Sequence, residues 1–235
     1  MKNAMISVII ATYNAEKYLD ACLSRIEALE IPQLQVIIID GGSTDNTLNI
    51  IKDHTASIHH WQSEPDQGIY DAMNKGIKLV HSGWVLFLGA DDLLEDGFKY
   101  MIPELEDPNA IYYGMVDVDG IIYKGPYTNY RLSKLNICHQ AIFYPAQVFT
   151  KGHQFNLKYP LWADWLLNIQ CWKDPDFRFV YKPYLISTFG IYGASSKQTD
   201  TAFEKDRTKI IIKYFGILTW LRYSFRSLKK RIFIS

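Results

Sequence analysis

Two adjacent carboxylates, Asp91 and Asp92, follow an apolar run at residues 84–88. Carboxylates at the end of a buried strand are costly to desolvate unless a cation or hydrogen-bond donors compensate them. Mg²⁺ commonly takes one or two protein carboxylates together with substrate phosphates. The pair therefore indicates a divalent-metal site facing a phosphorylated substrate or, equally well, caps for a helix that begins near Leu93.

Two more polar segments follow apolar runs nearer the N-terminus. Residues 7–11 end at Thr12-Tyr13-Asn14, and residues 35–39 end at Asp40. Asp40 is suited to accept a hydrogen bond from a base imide or a ribose hydroxyl, with an Asx turn as the alternative. No GxGxxG follows the first apolar run, which disfavours a Rossmann dehydrogenase.

Alternating strands and helices are predicted to position these segments. A parallel sheet follows from that alternation, and its strands end at one edge, where ligands bind. The loops at Thr12, Asp40 and Asp91 should therefore converge. The predicted strands are residues 7–11, 35–39, 58–62 and 84–88, and the predicted helices are residues 15–29, 47–52 and 69–80.

A hairpin is predicted further along the chain, because Asp119-Gly120 separates the apolar runs 111–118 and 121–124. The hairpin also explains the spacing of Asp117 and Asp119 better than a metal motif does. Downstream, strands are predicted at residues 138–144 and 177–186, and helices at residues 165–172 and 203–215.

The composition is that of a globular protein. The chain has 235 residues, 48% of them hydrophobic. Its three cysteines, Cys22, Cys138 and Cys171, lack disulfide or zinc spacing, which favours a reducing cytosol. No apolar segment reaches the roughly 18 residues of a membrane span, and no secretory signal is evident, so we expect a cytoplasmic protein.

Charge is segregated along the chain. Residues 207–235 carry eight Lys or Arg and no Asp or Glu, while residues 1–206 have an excess of acidic residues. Apolar side chains alternate with these basic ones, which is typical of an amphipathic helix at an anionic bilayer surface. A helix packed on the core is the alternative, and no recognised module indicates nucleic-acid binding. We expect a domain at 1–206 and a helical extension at 207–235.

Several motifs, in order, resemble the family 2 glycosyltransferases of GT-A fold, particularly members that act in O-antigen, capsule or exopolysaccharide assembly. The resemblance implies an α/β fold with a mostly parallel central sheet flanked by helices. It extends beyond the first hundred residues into the second half of the chain. The motifs are residues 8–14, 39–45, 64–76 and 87–92, followed by 138–143, 162–167 and 193–196.

This resemblance implies inverting transfer of a sugar from a nucleotide-diphosphate sugar, with a UDP-sugar favoured, to an acceptor hydroxyl. A lipid-linked glycan as the acceptor would explain why an enzyme with a basic amphipathic C-terminal helix visits the membrane. A divalent metal, Mg²⁺ or Mn²⁺, would assist departure of the nucleotide. The processive synthases of the family carry Gln-x-x-Arg-Trp and spanning helices. Their absence from the sequence favours single-sugar addition.

The resemblance also assigns roles to particular positions. Asp164 is the implied general base, Asp91 the metal ligand, and His139 and Trp162 are implied contacts of the acceptor. The implied contacts of the nucleotide sugar are Thr12, Tyr13, Asn14, Asp40, Asp66, Asn74, Asp91 and Asp92.

Three positions depart from the family pattern. Gly89 stands where Asp or Asn is frequent, Ala163 replaces the usual Glu before the base, and Met73 stands where many members have Arg, whose phosphate contact Lys75 would have to supply. They leave a non-catalytic sugar-nucleotide or partner-binding module as the alternative. A sugar-phosphate nucleotidyltransferase would need a Gly-rich basic loop after the first strand, which the sequence lacks.

Overall fold

A computed structural model of the protein describes residues 5–32, 34–190 and 198–232. Its strands are β1 (Ile6–Thr12), β2 (Leu34–Asp40), β3 (His60–Ser63), β4 (Trp84–Gly89), β5 (Leu93–Leu94), β6 (Ala110–Val118), β7 (Ile121–Tyr123), β8 (Ile142–Pro145) and β9 (Arg178–Phe189). Its α-helices are α1 (Leu19–Ala28), α2 (Thr47–Asp53), α3 (Ile69–Ile77), α4 (Gly97–Met101), α5 (Asn129–Leu132), α6 (Gln147–Thr150), α7 (Ala163–Lys173), α8 (Thr201–Phe215) and α9 (Ile217–Ile232).

The strands form a mixed sheet in the order β3-β2-β1-β4-β8-β6-β9-β5, and β7 pairs with β6 outside this order. The first four strands in this order are mutually parallel, as predicted. Their register places Thr12 beside Asp40 and Ala11 beside Gly89. The polar segments that follow these strands therefore emerge at one edge of the sheet.

Both faces of the parallel strands are covered, which explains their nearly continuous apolar sequences. On one face, Ile9 of β1 packs in the same cluster as Met73 of α3. On the other face, Ile10 packs in the same cluster as Leu23 of α1. Successive residues of one strand thus belong to two separate hydrophobic cores.

The predicted hairpin is present between β6 and β7, which pair antiparallel. Asp119 and Gly120 have φ angles of 53° and 78°. A tight turn with positive φ at both central residues matches the twist of the two strands, and Asp-Gly adopts it at low cost.

Several element bounds differ from prediction, and three of these differences lie beside the polar segments. Helix α1 begins at Leu19 rather than Ala15, because the Ala15 amide donates to Oγ1 of Thr47 and starts a turn. Strand β8 begins at Ile142, because residues His139–Ala141 form a 3-10 turn. Residues Leu93–Leu94 pair with β9 as β5, so Asp91 and Asp92 do not cap a helix there.

The C-terminal helices pack on the second half of the sheet domain. Asp200 caps α8 by accepting from the Phe203 amide, and the Phe203 ring stacks on Trp165 of α7. Gly216, with φ of 83°, separates α8 from α9, so α8 matches the helix predicted at residues 203–215. The division into a domain at 1–206 and an extension at 207–235 stays a prediction. Among the helices of the described ranges, none combines the length and apolar character needed to cross a bilayer.

The contact between α4 and β9 leaves no room for a side chain at Gly97. A Cβ at this position would overlap the carbonyl oxygen of Leu185. We expect Gly97→Ala to lower the free energy of unfolding by about 1–3 kcal/mol, because overpacking a backbone contact forces the helix from the strand. Urea unfolding should show this loss, while exposed Lys99→Ala on the same helix should unfold like the wild type. Equal stability of both variants would contradict the close packing.

Candidate functional site

Two of the three predicted loops, those at Thr12 and Asp91, line a cleft of about 530 Å³ at the carboxyl edge of the parallel strands. The ends of β1 and β4, the start of α3, the 3-10 turn before β8 and the end of β9 form its walls. The polar residues that line it are Thr12, Tyr13, Asn14, Tyr18, Asp66, Tyr70, Asp91, Asp92, His139 and Gln140. Seven of the predicted site residues thus lie in one cleft.

The residues after β1 offer both an apolar and a polar surface to a ligand. The Tyr13 ring is 63% exposed. The buried Oγ1 of Thr12 has no hydrogen-bond partner among the residues described. Asn14 holds the neighbouring loop, since its side-chain oxygen accepts from the Thr44 amide at 2.9 Å. The assignment of these residues to a nucleoside pocket stays a prediction.

Asp66 also lines the cleft and precedes α3. Its Oδ1 accepts from the Gly68 amide at 2.8 Å. A Cβ at Gly41 would lie 2.7 Å from its Oδ2, so the small residue after β2 lets this carboxylate approach the sheet edge.

Asp92 is 1% exposed, and both of its carboxylate oxygens are used by the protein. The Gly89 amide donates to Oδ2 at 2.6 Å and the Gly190 amide donates to Oδ1 at 2.9 Å. Burial raises the pKa of Asp92 to about 6, and the charge of Asp91 adds to this effect. Asp92 therefore ties the end of β4 to the end of β9, which differs from its predicted contact with the donor.

Asp91 lines the cleft beside Gly89 and is half-buried. Within the described ranges, no group of three or more His, Cys, Asp or Glu side chains is arranged around a common metal position. A cation that completes its coordination with substrate phosphates and water needs only one or two protein carboxylates. The hard oxygen ligand at Asp91 therefore fits a divalent metal held between protein and diphosphate.

Asp40 does not line the cleft, contrary to its predicted contact with the base. It is completely buried, and the Gly42 amide, the Ser43 amide and the Ser63 hydroxyl all donate to its Oδ2. The Ser43 hydroxyl donates to Oδ1. The Asx turn considered as an alternative is the arrangement observed, and it leaves this carboxylate no open side.

Asn74 and Trp162 also lie outside the residues that line the cleft. The Asn74 side chain donates to the Phe155 carbonyl at 2.8 Å and accepts from the Phe155 amide at 3.0 Å, so it clamps α3 to a distant loop. The Trp162 ring packs edge to face against Trp165 and Phe203. Hydrogen bonds account for the Asn74 side chain and aromatic packing for the Trp162 ring, and neither residue lines the cleft where its predicted contact with donor or acceptor would be made.

Asp164 lies behind the cleft wall and is 6% exposed. The Tyr70 hydroxyl and the Trp165 amide donate to its Oδ1 at 2.9 and 2.8 Å. The Asn136 side chain donates to Oδ2 at 2.8 Å, and Nδ1 of His139 lies 3.0 Å from the same oxygen. The carboxylate thus reaches the cleft through Tyr70 and His139, which line it.

Tyr70 and Asn136 are site residues that the sequence interpretation did not single out. Burial, followed by the charge of Asp164, raises the pKa of Tyr70 well above its usual value, so its hydroxyl stays a neutral donor. Tyr70 falls inside the motif at residues 64–76, and the sequence feature that could have identified it is a lone hydroxyl on the apolar face of α3. No feature of the sequence distinguishes Asn136. The motif at residues 193–196 lies outside the described residues.

Two comparisons with known proteins, one with a family model and one with individual proteins, identify the same family. The family model described as Glycosyl transferase family 2 matches residues 7–162. A PGL/p-HBAD biosynthesis glycosyltransferase of Mycobacterium bovis is 36% identical over 207 residues, which are 83% of this chain and 80% of that protein.

Solved structures share the fold at low sequence identity. S. aureus TarS 1-349 in complex with UDP-GlcNAc has a TM-score of 0.69 at 17% identity, over 90% of this chain and 67% of that one. The mannosyltransferase PcManGT from Pyrobaculum calidifontis, in complex with GDP-Man and Mn²⁺, has a TM-score of 0.65 at 16% identity, over 92% of this chain and 64% of that one. The chain covers 39% of a longer TarS chain.

These matches agree with a mixed α/β fold whose cleft lies at the carboxyl edge of its parallel strands. The chain is a glycosyltransferase, and it belongs to glycosyl transferase family 2.

Proposed function

We propose that the protein transfers a single sugar, with inversion, from a nucleotide-diphosphate sugar to a hydroxyl of a lipid-linked glycan. The observation that carries this proposal is the presence of a carboxylate suited to a metal, Asp91, and a hydrogen-bonded histidine–carboxylate pair, His139 and Asp164, at one cleft. The first suits a diphosphate leaving group, and the second suits removal of a proton from an acceptor.

A UDP-sugar is the donor that we favour. The TarS complexes hold UDP-GlcNAc or UDP, while the archaeal mannosyltransferase holds GDP-Man. In this chain the exposed ring of Tyr13 offers a face to a planar base, and the unpartnered Oγ1 of Thr12 offers a hydrogen bond. Asp66 lines the same cleft.

The reaction requires stabilisation of negative charge on the leaving group and removal of a proton from the acceptor, and different residues serve these two requirements. Asp91 would hold a divalent ion, Mg²⁺ or Mn²⁺, which when bound neutralises charge that develops on the departing diphosphate. The acceptor hydroxyl must lose its proton as its oxygen attacks the anomeric carbon. Asp164 supplies the basic carboxylate for that step, and its four hydrogen bonds hold it in one orientation.

A donor panel tests this function. We expect a UDP-sugar with Mn²⁺ to raise the melting temperature more than GDP- or dTDP-sugars, because a ligand stabilises the folded state in proportion to its affinity. Asp91→Asn should weaken metal-dependent donor binding by about tenfold or more, since an amide forms a poorer bond to a hard cation. Exposed Asp53→Asn is the matched control.

Release of nucleoside diphosphate, measured with and without EDTA, separates an enzyme from a binding module. The proposed function predicts release that depends on acceptor and falls when the metal is removed. No release under either condition would identify a sugar-nucleotide-binding module instead.

We further propose that α9 brings the enzyme to the inner face of the cytoplasmic membrane, where a lipid-linked acceptor resides. Ile217, Leu221 and Phe225 recur every four residues and so share one face of the helix with Leu218. All four side chains are exposed, Leu218 by 79%. Beside this face, four residues after Leu218, the Arg222 guanidinium stacks 4.1 Å above the Tyr130 ring, which anchors the helix to the domain.

Charge favours an anionic bilayer as the occupant of this face. Residues 207–235 carry eight basic side chains and no acidic ones. An amphipathic helix with this charge gains both from apolar burial and from attraction to anionic headgroups. The remainder of the chain is acidic, so such attraction is confined to the C-terminal end.

Vesicle binding tests the membrane proposal. We expect the wild type to bind phosphatidylglycerol vesicles and to bind neutral vesicles poorly, with binding weakened by salt. Leu218→Glu with Phe225→Glu should reduce sedimentation with anionic vesicles by about tenfold, because two apolar contacts are lost. Ile121→Glu, at an exposed apolar position of β7, is the control. Unchanged binding of the double variant would exclude this face as the contact.

A further inference from the structure

We propose that three buried side chains are positioning residues for Asp164, the general base of the proposed transfer, and that they hold it through one directional chain of hydrogen bonds. The chain runs from the Tyr144 hydroxyl through the side-chain amides of Asn168 and Asn136 to the Asp164 carboxylate. None of the three residues lines the cleft, so their effect on the reaction has to pass through Asp164. The inference rests on the proposed function and deepens it.

Each carboxylate oxygen of Asp164 has one hydrogen-bond partner that lines the cleft and one that lies behind it. Oδ1 accepts from the Tyr70 hydroxyl at 2.9 Å and from the Trp165 amide at 2.8 Å. Oδ2 lies 3.0 Å from Nδ1 of His139 and accepts from the Asn136 side chain at 2.8 Å. Of these four partners, Tyr70 and His139 line the cleft and the other two do not. An acceptor hydroxyl that displaces a partner on the cleft side therefore leaves the rear partners to hold the carboxylate.

A backbone carbonyl fixes the direction of the chain. Because a carbonyl oxygen only accepts hydrogen bonds, the Ile137 carbonyl, 2.9 Å from the Asn168 side chain, identifies the facing atom as Nδ2. The second N–H of this nitrogen donates to Oδ1 of Asn136 at 2.9 Å, which turns Nδ2 of Asn136 toward Asp164. Oδ1 of Asn168 is left to accept from the Tyr144 hydroxyl at 2.6 Å. Every bond in the chain thus donates toward the carboxylate.

A chain with this direction stabilises negative charge at its end. Hydrogen bonds that run in one direction polarise each other, and donors to an ionised carboxylate favour its charged form. Asp164 is 6% exposed, so its charge requires such compensation for the water that burial removes. Burial, with smaller contributions from Cys171 and Asp164, raises the pKa of Tyr144 well above its usual value. The hydroxyl at the start of the chain therefore stays a donor.

Asn168 is an unfavourable residue for its position if packing is its only role. It is completely buried on α7, four residues after Asp164 and so on the same side of the helix. Its buried neighbours on α7 include Leu166, Leu167 and Ile169. Asparagine is a poorer helix former than leucine, and its amide must be paired wherever it is buried. Because that pairing leads to the charged group of Asp164, we infer that it serves to hold the base.

The test measures sugar transfer by the full chain, with the nucleotide sugar selected by the donor panel, Mn²⁺, and octyl glycosides as soluble acceptors. We expect Asn136→Ala to lower kcat by about 10–100-fold, because a small displacement of a catalytic group costs up to about that factor. Tyr144→Phe removes one neutral hydrogen bond at the far end of the chain and should lower kcat by about two- to tenfold. The acceptor KM and the donor affinity by calorimetry should stay within about threefold of the wild type, because these side chains do not reach the cleft.

A double variant separates the positioning of the base from a general structural role. If Asn136 acts through Asp164, Asn136→Ala should cause no further loss of kcat in an Asp164→Asn background, because residues that act as a unit are not additive. A residue that only supports the fold would lower the rate in both backgrounds. Thermal melting reports whether each variant is folded. Tyr144→Phe, which keeps the aromatic ring, enters the same comparison should Asn136→Ala destabilise the protein.

Tyr112→Phe is the matched control for Tyr144→Phe. Tyr112 is also a buried tyrosine on a strand, but it lies on β6 and its hydroxyl accepts from the Asp107 amide at 3.2 Å. Loss of this hydroxyl removes one hydrogen bond from the protein without touching the chain that leads to Asp164. We therefore expect Tyr112→Phe to keep the wild-type kcat.

The failure of the inference and the failure of the proposed function give different results. If Asn136→Ala and Tyr144→Phe keep the wild-type kcat while Asp164→Asn loses transfer, the chain does not hold the base and the inference alone fails. Losses that appear in KM or donor affinity instead of kcat, or that persist in the Asp164→Asn background, also overturn it. If Asp164→Asn transfers at the wild-type rate, or the wild type transfers no sugar from any donor, the proposed function fails and the inference fails with it.

Discussion

Carboxylates that are buried but fully supplied with hydrogen-bond donors hold this molecule together at the functional edge of its sheet. A buried carboxylate without donors would be strongly destabilising, so each one forces the surrounding backbone to turn amides and hydroxyls toward it. Asp40 orders the turn after β2, Asp92 joins the ends of β4 and β9, and Asp164 joins α3, α7 and the segment before β8. Asp200 does the same for α8, accepting from the amides of Leu161 and Trp162 as well as from its own helix.

This arrangement divides the acidic residues in and around the cleft into two kinds. The oxygens of Asp40, Asp92 and Asp164 accept hydrogen bonds from the protein and fix the geometry of the surrounding segments. Asp66 and Asp91 line the cleft and are only partly buried. The chemistry that we propose uses both kinds, since a metal requires an accessible oxygen and a general base has to be held in one orientation.

The sequence was most informative where structure depends on near neighbours. The apolar runs of β1, β2 and β4 predicted the parallel strands, and Asp119-Gly120 predicted the hairpin. Convergence of the loops followed from the topology of a parallel sheet. What the sequence could not supply is the identity of distant partners: the donor from Ser63 reaches Asp40 across 23 residues, and Asn74 pairs with Phe155 across 81. The family motifs therefore pointed to Asp40, Asn74 and Asp164, but they did not reveal that the polar atoms of these side chains already form hydrogen bonds within the protein.

Strand β9 has a consequence for how the molecule is assembled during synthesis. Leu93 and Leu94 pair with Thr188 and Ser187, and the amide of Gly190 completes the hydrogen bonds of Asp92. Contacts between residues so far apart in the chain form slowly and only after the later segment exists. A ribosome that has produced the four parallel strands has therefore made the sheet edge that carries Thr12 and Asp91, but the cleft is incomplete until the residues up to Gly190, 98 positions after Asp92, have left the exit tunnel.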